Sequence, residues 1–248
     1  MDYKGSSVYE ERDFLENFLK RRSRKDSPNN AIEGPAIDLL LASVEGADIL
    51  DLGCGDGTYG NELLARGAGS YTGVEGAAAM VELAASRLLS PKGAVIHSSL
   101  ENFEYPANRY DVVLSRMVIH YIDNIEKLFA SISQTMKKEG KFVFSVQHPL
   151  ITASFASKID GDKRGNWLVD DYFIQGERQE PWIGKTVVKY HRSIETYFGA
   201  LSSAGFMVEA LQEGQPKPEN FADSGEFERR TRIPVVLIFS CRIAEDGQ

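Results

Sequence analysis

The chain has 248 residues, 42% hydrophobic and 10% aromatic, and a formal net charge of −8. This fits one α/β domain with a sizeable core, and the acidic balance argues against an extended nucleic-acid surface. Two cysteines (Cys54 and Cys241) exclude a disulfide framework, no apolar run reaches membrane-spanning length, and Met1-Asp2-Tyr3-Lys4 does not begin a signal peptide, so a cytoplasmic protein is expected.

Residues 9–25 read as a helix with Phe14, Leu15, Phe18 and Leu19 on its apolar face. The basic run Lys20-Arg21-Arg22-Ser23-Arg24-Lys25 complements the dipole at its C-terminal end. Ser27-Pro28-Asn29-Asn30 is turn chemistry, and a second helix is expected over 31–43. Residues 1–45 are thus expected to form an N-terminal helical cap ahead of a domain spanning 46–248. Ile49-Leu50-Asp51-Leu52 reads as a short buried strand that ends in Gly53-Cys54-Gly55-Asp56-Gly57. A helical pattern with Leu63 and Leu64 apolar stops at Gly67, and a strand over Tyr71 to Val74 ends on Glu75.

A strand, glycine turn, helix, strand and acid in that order make a nucleotide-binding unit. Glycines in the turn permit positive φ and close approach of a ligand to the main chain. The N–H groups opening the next helix present a partly positive rim. An acid about 20 residues on accepts the hydroxyls of a ribose. Gly55-x-Gly57-x-x-Gly60 also fits the dinucleotide pattern, and Asp51 separates the two readings. Its carboxylate would repel a pyrophosphate but favours a ligand that carries an ammonium and a sulfonium. The run Asp51-Leu52-Gly53-Cys54-Gly55-Asp56-Gly57 resembles the first motif of the class I S-adenosylmethionine-dependent methyltransferases.

That resemblance implies a Rossmann-like fold: a doubly wound α/β domain whose seven-stranded, mostly parallel sheet has an antiparallel last strand. It implies S-adenosyl-L-methionine as cofactor and S-adenosyl-L-homocysteine as product. Asp51, Gly53 and Gly55 would hold the amino-acid end, Glu75 the ribose, and Gly76 and Met80 would flank the adenine. An arginine of the basic run, or Tyr9, would meet the methionine carboxylate. After a helix over Ala77 to Leu89 and a strand over Ala94 to His97, the family carries an acid that accepts from the adenine amino group. Here Ser99 takes that place and Leu100 follows, a departure that replaces a charged acceptor with a weaker neutral one. The fourth strand, Asp111 to Ser115, brings Ser115 beside the methionine moiety. A helix over Asp123 to Lys138 and a strand over Lys141 to Val146 follow, and "IHYI" and "EGKFVFSVQHP" extend the resemblance to residues 47–150.

Beyond it, residues 148–186 show little periodicity but carry Phe155, Trp167, Tyr172, Phe173 and Trp182, and are expected to form a cover over the substrate. Val187 to Tyr190 is β-like, Ser193 to Ala204 helical, and Phe206 to Leu211 and Arg232 to Ser240 are the last strands, joined by a polar loop.

Methyl transfer is an in-line displacement in which the protein supplies alignment and an acceptor lone pair free of its proton. His120 and His148 follow strands at the edge where ligands bind and are the catalytic candidates; His191 instead falls where it would open a helix. The scattered histidines and the lack of Cys-x-x-Cys give no metal site. Trp167, Tyr172 and Trp182 with Asp170-Asp171 would either bind a cationic acceptor or pin the cover to the domain. The expected activity is methyl transfer to nitrogen or oxygen of a small metabolite. The alternatives are a peptide or RNA methyltransferase that docks on Lys20 to Lys25, and a nicotinamide-dependent dehydrogenase.

Overall fold

In the computed structural model, which describes residues 2–159 and 163–244, the sequence alternates strands and helices from Asp48 onward. The elements are β1 (Asp2–Tyr3), α1 (Arg12–Arg22), α2 (Gly34–Leu41), β2 (Asp48–Leu52), α3 (Thr58–Ala65), β3 (Ser70–Glu75), α4 (Ala78–Arg87), β4 (Gly93–His97) and β5 (Tyr110–Arg116). They continue with α5 (Ile125–Thr135), β6 (Met136–Gln147), α6 (Pro149–Thr152), β7 (Gly176–Trp182), β8 (Lys185–His191), α7 (Ile194–Ser203), β9 (Phe206–Gln212), α8 (Ser224–Arg230) and β10 (Val236–Ile243).

Seven strands form the main sheet in the order β4-β3-β2-β5-β6-β10-β9. Only β10 runs against its neighbours, antiparallel to both β6 and β9. This is the expected sheet, with the antiparallel last strand inserted one place in from the edge. Strand residues alternate between two cores because successive side chains point to opposite faces. Leu50, Leu52, Val113, Phe142 and Phe144 pack with Phe129 and Ile132 of α5 and Leu201 of α7. Ile49, Tyr71, Leu114, Val143 and Ile238 pack on the other face with Ile37 of α2, Leu63 of α3 and Ala84 of α4.

Two boundaries depart from expectation for identifiable reasons. Helix α5 ends at Thr135, not near Glu139, because β6 starts early: Met136 pairs with Tyr110, and the Lys137 ammonium bridges Asp48 and Asp111 at 3.0 and 2.9 Å. The final strand starts at Val236, four residues late, because Pro234 has no N–H to contribute to the ladder.

A second sheet, in the order β1-β8-β7, was read only at β8, which contains the β-like 187–190; β1 and β7 were not expected. Its hairpin turns through Ile183 (φ 51°) and Gly184 (φ 72°), the left-handed pair of a tight two-residue turn. The α1 residues Phe14 and Phe18 meet Trp182 edge-on at 5.3 and 5.7 Å, so the N-terminal segment and this sheet share a small core with Tyr121. The helix expected over 9–25 is shorter, preceded by a 3₁₀ turn from Gly5 to Glu10.

One buried ion pair fastens the N-terminal region to the main sheet. Glu33, on a π-helical turn (Asn29–Glu33) that leads into α2, accepts from Arg116 Nε at 3.0 Å and from the Ser145 hydroxyl at 2.8 Å. Arg116 Nη2 completes the fork, and the Tyr59 ring lies 4.2 Å from the guanidinium. Breaking such a pair leaves a buried charge uncompensated. Replacing fully buried Glu33 by Ala is therefore expected to lower the unfolding free energy by about 3–5 kcal/mol, read from urea denaturation.

Candidate active site

The carboxyl ends of β2, β3, β5 and β6 open into a cavity of about 950 Å³. Its far wall is the N-terminal segment, including Ser6, Tyr9, Glu10 and Phe18. That segment sits directly on the β3 turn: Ala78 N–H donates to Glu10 Oε1 at 2.6 Å, and a Cβ on Gly76 would lie 2.5 Å from Ser6 Oγ. A third side comes from residues 151–189, among them Lys158, Arg164, Trp167, Glu180, Trp182 and Lys189.

Of the residues singled out in the sequence, Gly53, Gly55, Glu75, Gly76, Met80, Ser99, Leu100 and His120 all line this cavity. Gly55 has φ +59°, and a Cβ there would meet nothing nearer than Arg22 Nη1 at 3.9 Å, so its backbone faces open space. Glu75 accepts from Gly55 N–H at 2.9 Å and from the Gly76 and Ala77 N–H groups at 2.8 and 2.9 Å. Burial raises its pKa against these donors.

Asp51 lies beneath the turn, 2% exposed and outside the cavity lining. Its Oδ2 accepts from the Tyr71 hydroxyl at 2.7 Å, while its Oδ1 is buried with no hydrogen-bond partner among the described residues. Burial pushes its pKa up to about 6, against the pull of Tyr71, Arg116 and Arg22. Gly60, the third glycine of the dinucleotide-like pattern, has a role in packing: a Cβ there would stand 2.5 Å from the Tyr71 ring.

Ser115 is fully buried, outside the lining, with its hydroxyl on Leu52 O at 2.9 Å. His148 is likewise outside. Its Nε2 is 3.0 Å from Glu213 Oε1 and its Nδ1 accepts from Leu150 N–H, which makes it the cap of α6. Both nitrogens are thus engaged away from the cavity. His191 is held by Thr152 Oγ1 and Tyr172 O. His120 alone of these three reaches the site, buried, with its Nδ1 accepting from Gln147 N–H at 3.3 Å. That bond places the proton of the neutral ring on Nε2, so the ring offers the cavity a donor.

Residues that periodicity could not reveal complete the lining. Lys189 and Glu180 form a buried ion pair that Lys158 joins. The Lys189 ammonium also lies 4.6 Å from the Trp182 ring centroid and 5.0 Å from that of Tyr121. Although burial opposes it, Lys189 and Lys158 hold the Glu180 pKa down to about 2. Arg21, Arg22 and Arg24 of the basic run line the cavity, as do Arg229 and Arg230 of α8. Trp167 and Trp182 line it too, whereas Tyr172, Asp170 and Asp171 do not, so the acid pair is not placed to hold a cation there.

The profile of a methyltransferase domain family matches residues 13–198. The chain belongs to this methyltransferase family. An S-adenosylmethionine-dependent methyltransferase structure from Mesorhizobium loti is similar at 30% identity and a TM-score of 0.78, covering 87% of this chain and 99% of that one. An uncharacterized protein of Haemophilus influenzae is 30% identical over 96% of this chain and 98% of its own length. The mitochondrial ubiquinone biosynthesis O-methyltransferase of Schizosaccharomyces pombe is 26% identical over 51% of this chain and 57% of its own. This methyltransferase uses S-adenosylmethionine, and the residues present fit that group. The unpartnered Asp51 oxygen and the open Gly55 backbone provide acceptors and space suited to a cationic amino acid.

Burial, then the charges of Lys189 and Arg192, drive the His120 pKa well below the ordinary imidazole value. The ring therefore keeps its neutral form to lower pH than an unperturbed histidine does. Its ring-proton NMR resonances, assigned by their loss in His120→Asn, should titrate with a midpoint below the ordinary imidazole value.

Proposed function

We propose that this methyltransferase methylates an oxygen or nitrogen of a small metabolite inside the cavity. The observation that carries the reading is the size and position of that cavity. At about 950 Å³ it is of small-molecule scale, and it is walled by the N-terminal segment and by residues of the second sheet. The likeness to an enzyme named as an O-methyltransferase supports oxygen as an acceptor atom.

When bound, S-adenosylmethionine supplies an activated methyl group on a sulfonium, with the thioether as leaving group. The chain's part is positioning. Asp51, Gly53 and Gly55 hold the amino-acid end, with Arg22 beside Gly55 available to its carboxylate. Glu75 receives the ribose hydroxyls through the lone pairs its three backbone donors leave unused. Gly76, Met80, Ser99 and Leu100 frame the adenine, and the Ser115 hydroxyl holds the end of β5 to β2. His120, neutral and donating from Nε2, orients the acceptor by a hydrogen bond.

The ionised form of Asp51 is the one that attracts the cofactor's ammonium. Since its pKa in the free protein is about 6, affinity should be flat above that pH and fall by about tenfold per unit below it. Calorimetric titration with S-adenosylhomocysteine should show this decline. Asp51→Asn should bind more weakly and flatten the profile, and Tyr71→Phe, which removes the donor favouring the ionised form, should move the midpoint upward.

Incubation with methyl-labelled S-adenosylmethionine and an extract of the source organism should place label in the small-molecule fraction, with transfer lost in Glu75→Ala. Label in protein or RNA would replace this reading by a macromolecular one.

A further inference from the structure

The basic side chains of the cavity are not spread evenly over its walls. On the side formed by α8, the start of β10 and residues 163–167, three cations converge on one carboxylate. Lys163 Nζ lies 3.1 Å from Glu226 Oε2, Arg229 Nε 3.0 Å from the same oxygen, and Arg230 Nε 2.8 Å from Oε1. The Glu226 side chain is 5% exposed, and those of Arg229 and Arg230 are 18% and 12% exposed. Besides Glu226, Asp223 is the only carboxylate among the described residues within ion-pair distance of Lys163, at 4.0 Å.

Arg164 lines the same cavity with no carboxylate in ion-pair distance among the described residues, although Glu180 acts on it from farther away. Its Nη1 and Nη2 are bonded to Ser154 alone, and its Nε is buried without a partner. Burial first, then Arg229 and Arg24, pull the Arg230 pKa down to about 10 against Glu226. Partly buried cations in surplus are costly unless something anionic joins them. Lys163, Arg164, Arg229 and Arg230 all face the cavity, with Ile159, Trp167 and Val235 as apolar neighbours. In the main sheet β10 is three strands from β2, a lateral offset of about 14 Å at ordinary strand spacing. The start of β10, which follows Arg230 in the chain, is therefore offset from the strand that carries the glycine turn.

We propose that the methyl acceptor is an acid with an apolar body, and that its carboxylate or phosphate seats among Lys163, Arg164, Arg229 and Arg230. Resting on the small-metabolite reading, this names the chemical class of that metabolite. Guanidinium forks match both anions in geometry, and Trp167 and Ile159 offer apolar surface for the rest of the molecule. An amine-bearing acceptor would instead meet like charge along this wall.

The test is binding to the full chain saturated with S-adenosylhomocysteine. Phenylacetate and phenyl phosphate serve as probes, and phenylacetamide and benzyl alcohol as neutral counterparts. At least one acid should bind about tenfold or more tightly than its neutral counterpart, with affinity falling as salt rises. The acid that binds better tells carboxylate from phosphate. Arg164→Gln and Arg230→Gln should each remove most of that preference while S-adenosylhomocysteine affinity is unchanged, and Arg230→Lys should retain part of it. Equal binding of acids and neutral probes, or a preference untouched by both glutamine variants, would overturn the proposal. Label transfer separates its failure from that of the parent reading. Labelling confined to small molecules that pass unretained through an anion exchanger before the assay refutes the acid alone, whereas labelling of macromolecules refutes both.

Discussion

A single hydroxyl group holds the acid beneath the glycine turn. Tyr71 reaches from β3 to donate to the Asp51 carboxylate at the end of β2, which keeps an acid in a place where burial alone would strip its charge. The ring that carries the hydroxyl needs room, and Gly60 on α3 provides it by having no side chain. The glycine spacing that looks like a dinucleotide fingerprint is thus partly a consequence of the tyrosine. Two of its glycines lie in the turn, and the third admits the group that tunes the neighbouring acid. A pyrophosphate site has no use for that acid, so the same spacing serves a different ligand.

Most of the fold was legible because parallel strands buried on both faces read as short apolar runs, and each such run here is punctuated by glycine or by an acid. The seven main strands and the glycine turn follow from that pattern. The details that differ are tertiary. A lysine bridging Asp48 and Asp111 extends β6 at the expense of α5, and a proline withholds the donor that would have started β10 earlier. Most of the second sheet was hidden for another reason. Its β7 strand, Gly-Glu-Arg-Gln-Glu-Pro-Trp, alternates partners and not hydrophobicity, and its apolar contacts are made with α1, more than 150 residues away in the chain. The Ile183-Gly184 turn was the available signal.

Many of the lining residues at the strand ends were singled out in the sequence, since they follow consecutive strands, where a short motif records spatial order. Asp51, Ser115 and His148 were read into the cavity on the same logic and fall outside its lining. Strand ends carry buried residues as well as lining ones, and sequence position alone does not tell a side chain that points into the cavity from one that points under it. His148 shows the difference: one residue past β6, it turns to cap α6. The cations of the opposite wall were not legible because they come from elements far apart in sequence: Lys158, Lys163 and Arg164 in the cover, Lys189 on β8, and Arg229 and Arg230 on α8.

Net charge misleads for a related reason. A chain of −8 gives no sign of a basic interior, yet among the lining residues lysines and arginines outnumber the carboxylates. Folding sorts the charges. Glu180 in the cavity wall is shared by two lysines, and Glu226, behind the lining, by three cations, so these two carboxylates are each outnumbered by their partners. Low-dielectric walls strengthen such local surpluses, while the acids facing water are screened within about 8–10 Å at physiological ionic strength. An anionic ligand entering the cavity is therefore governed by the wall and not by the total. The sign of the total charge and the sign of the wall are thus independent consequences of one sequence.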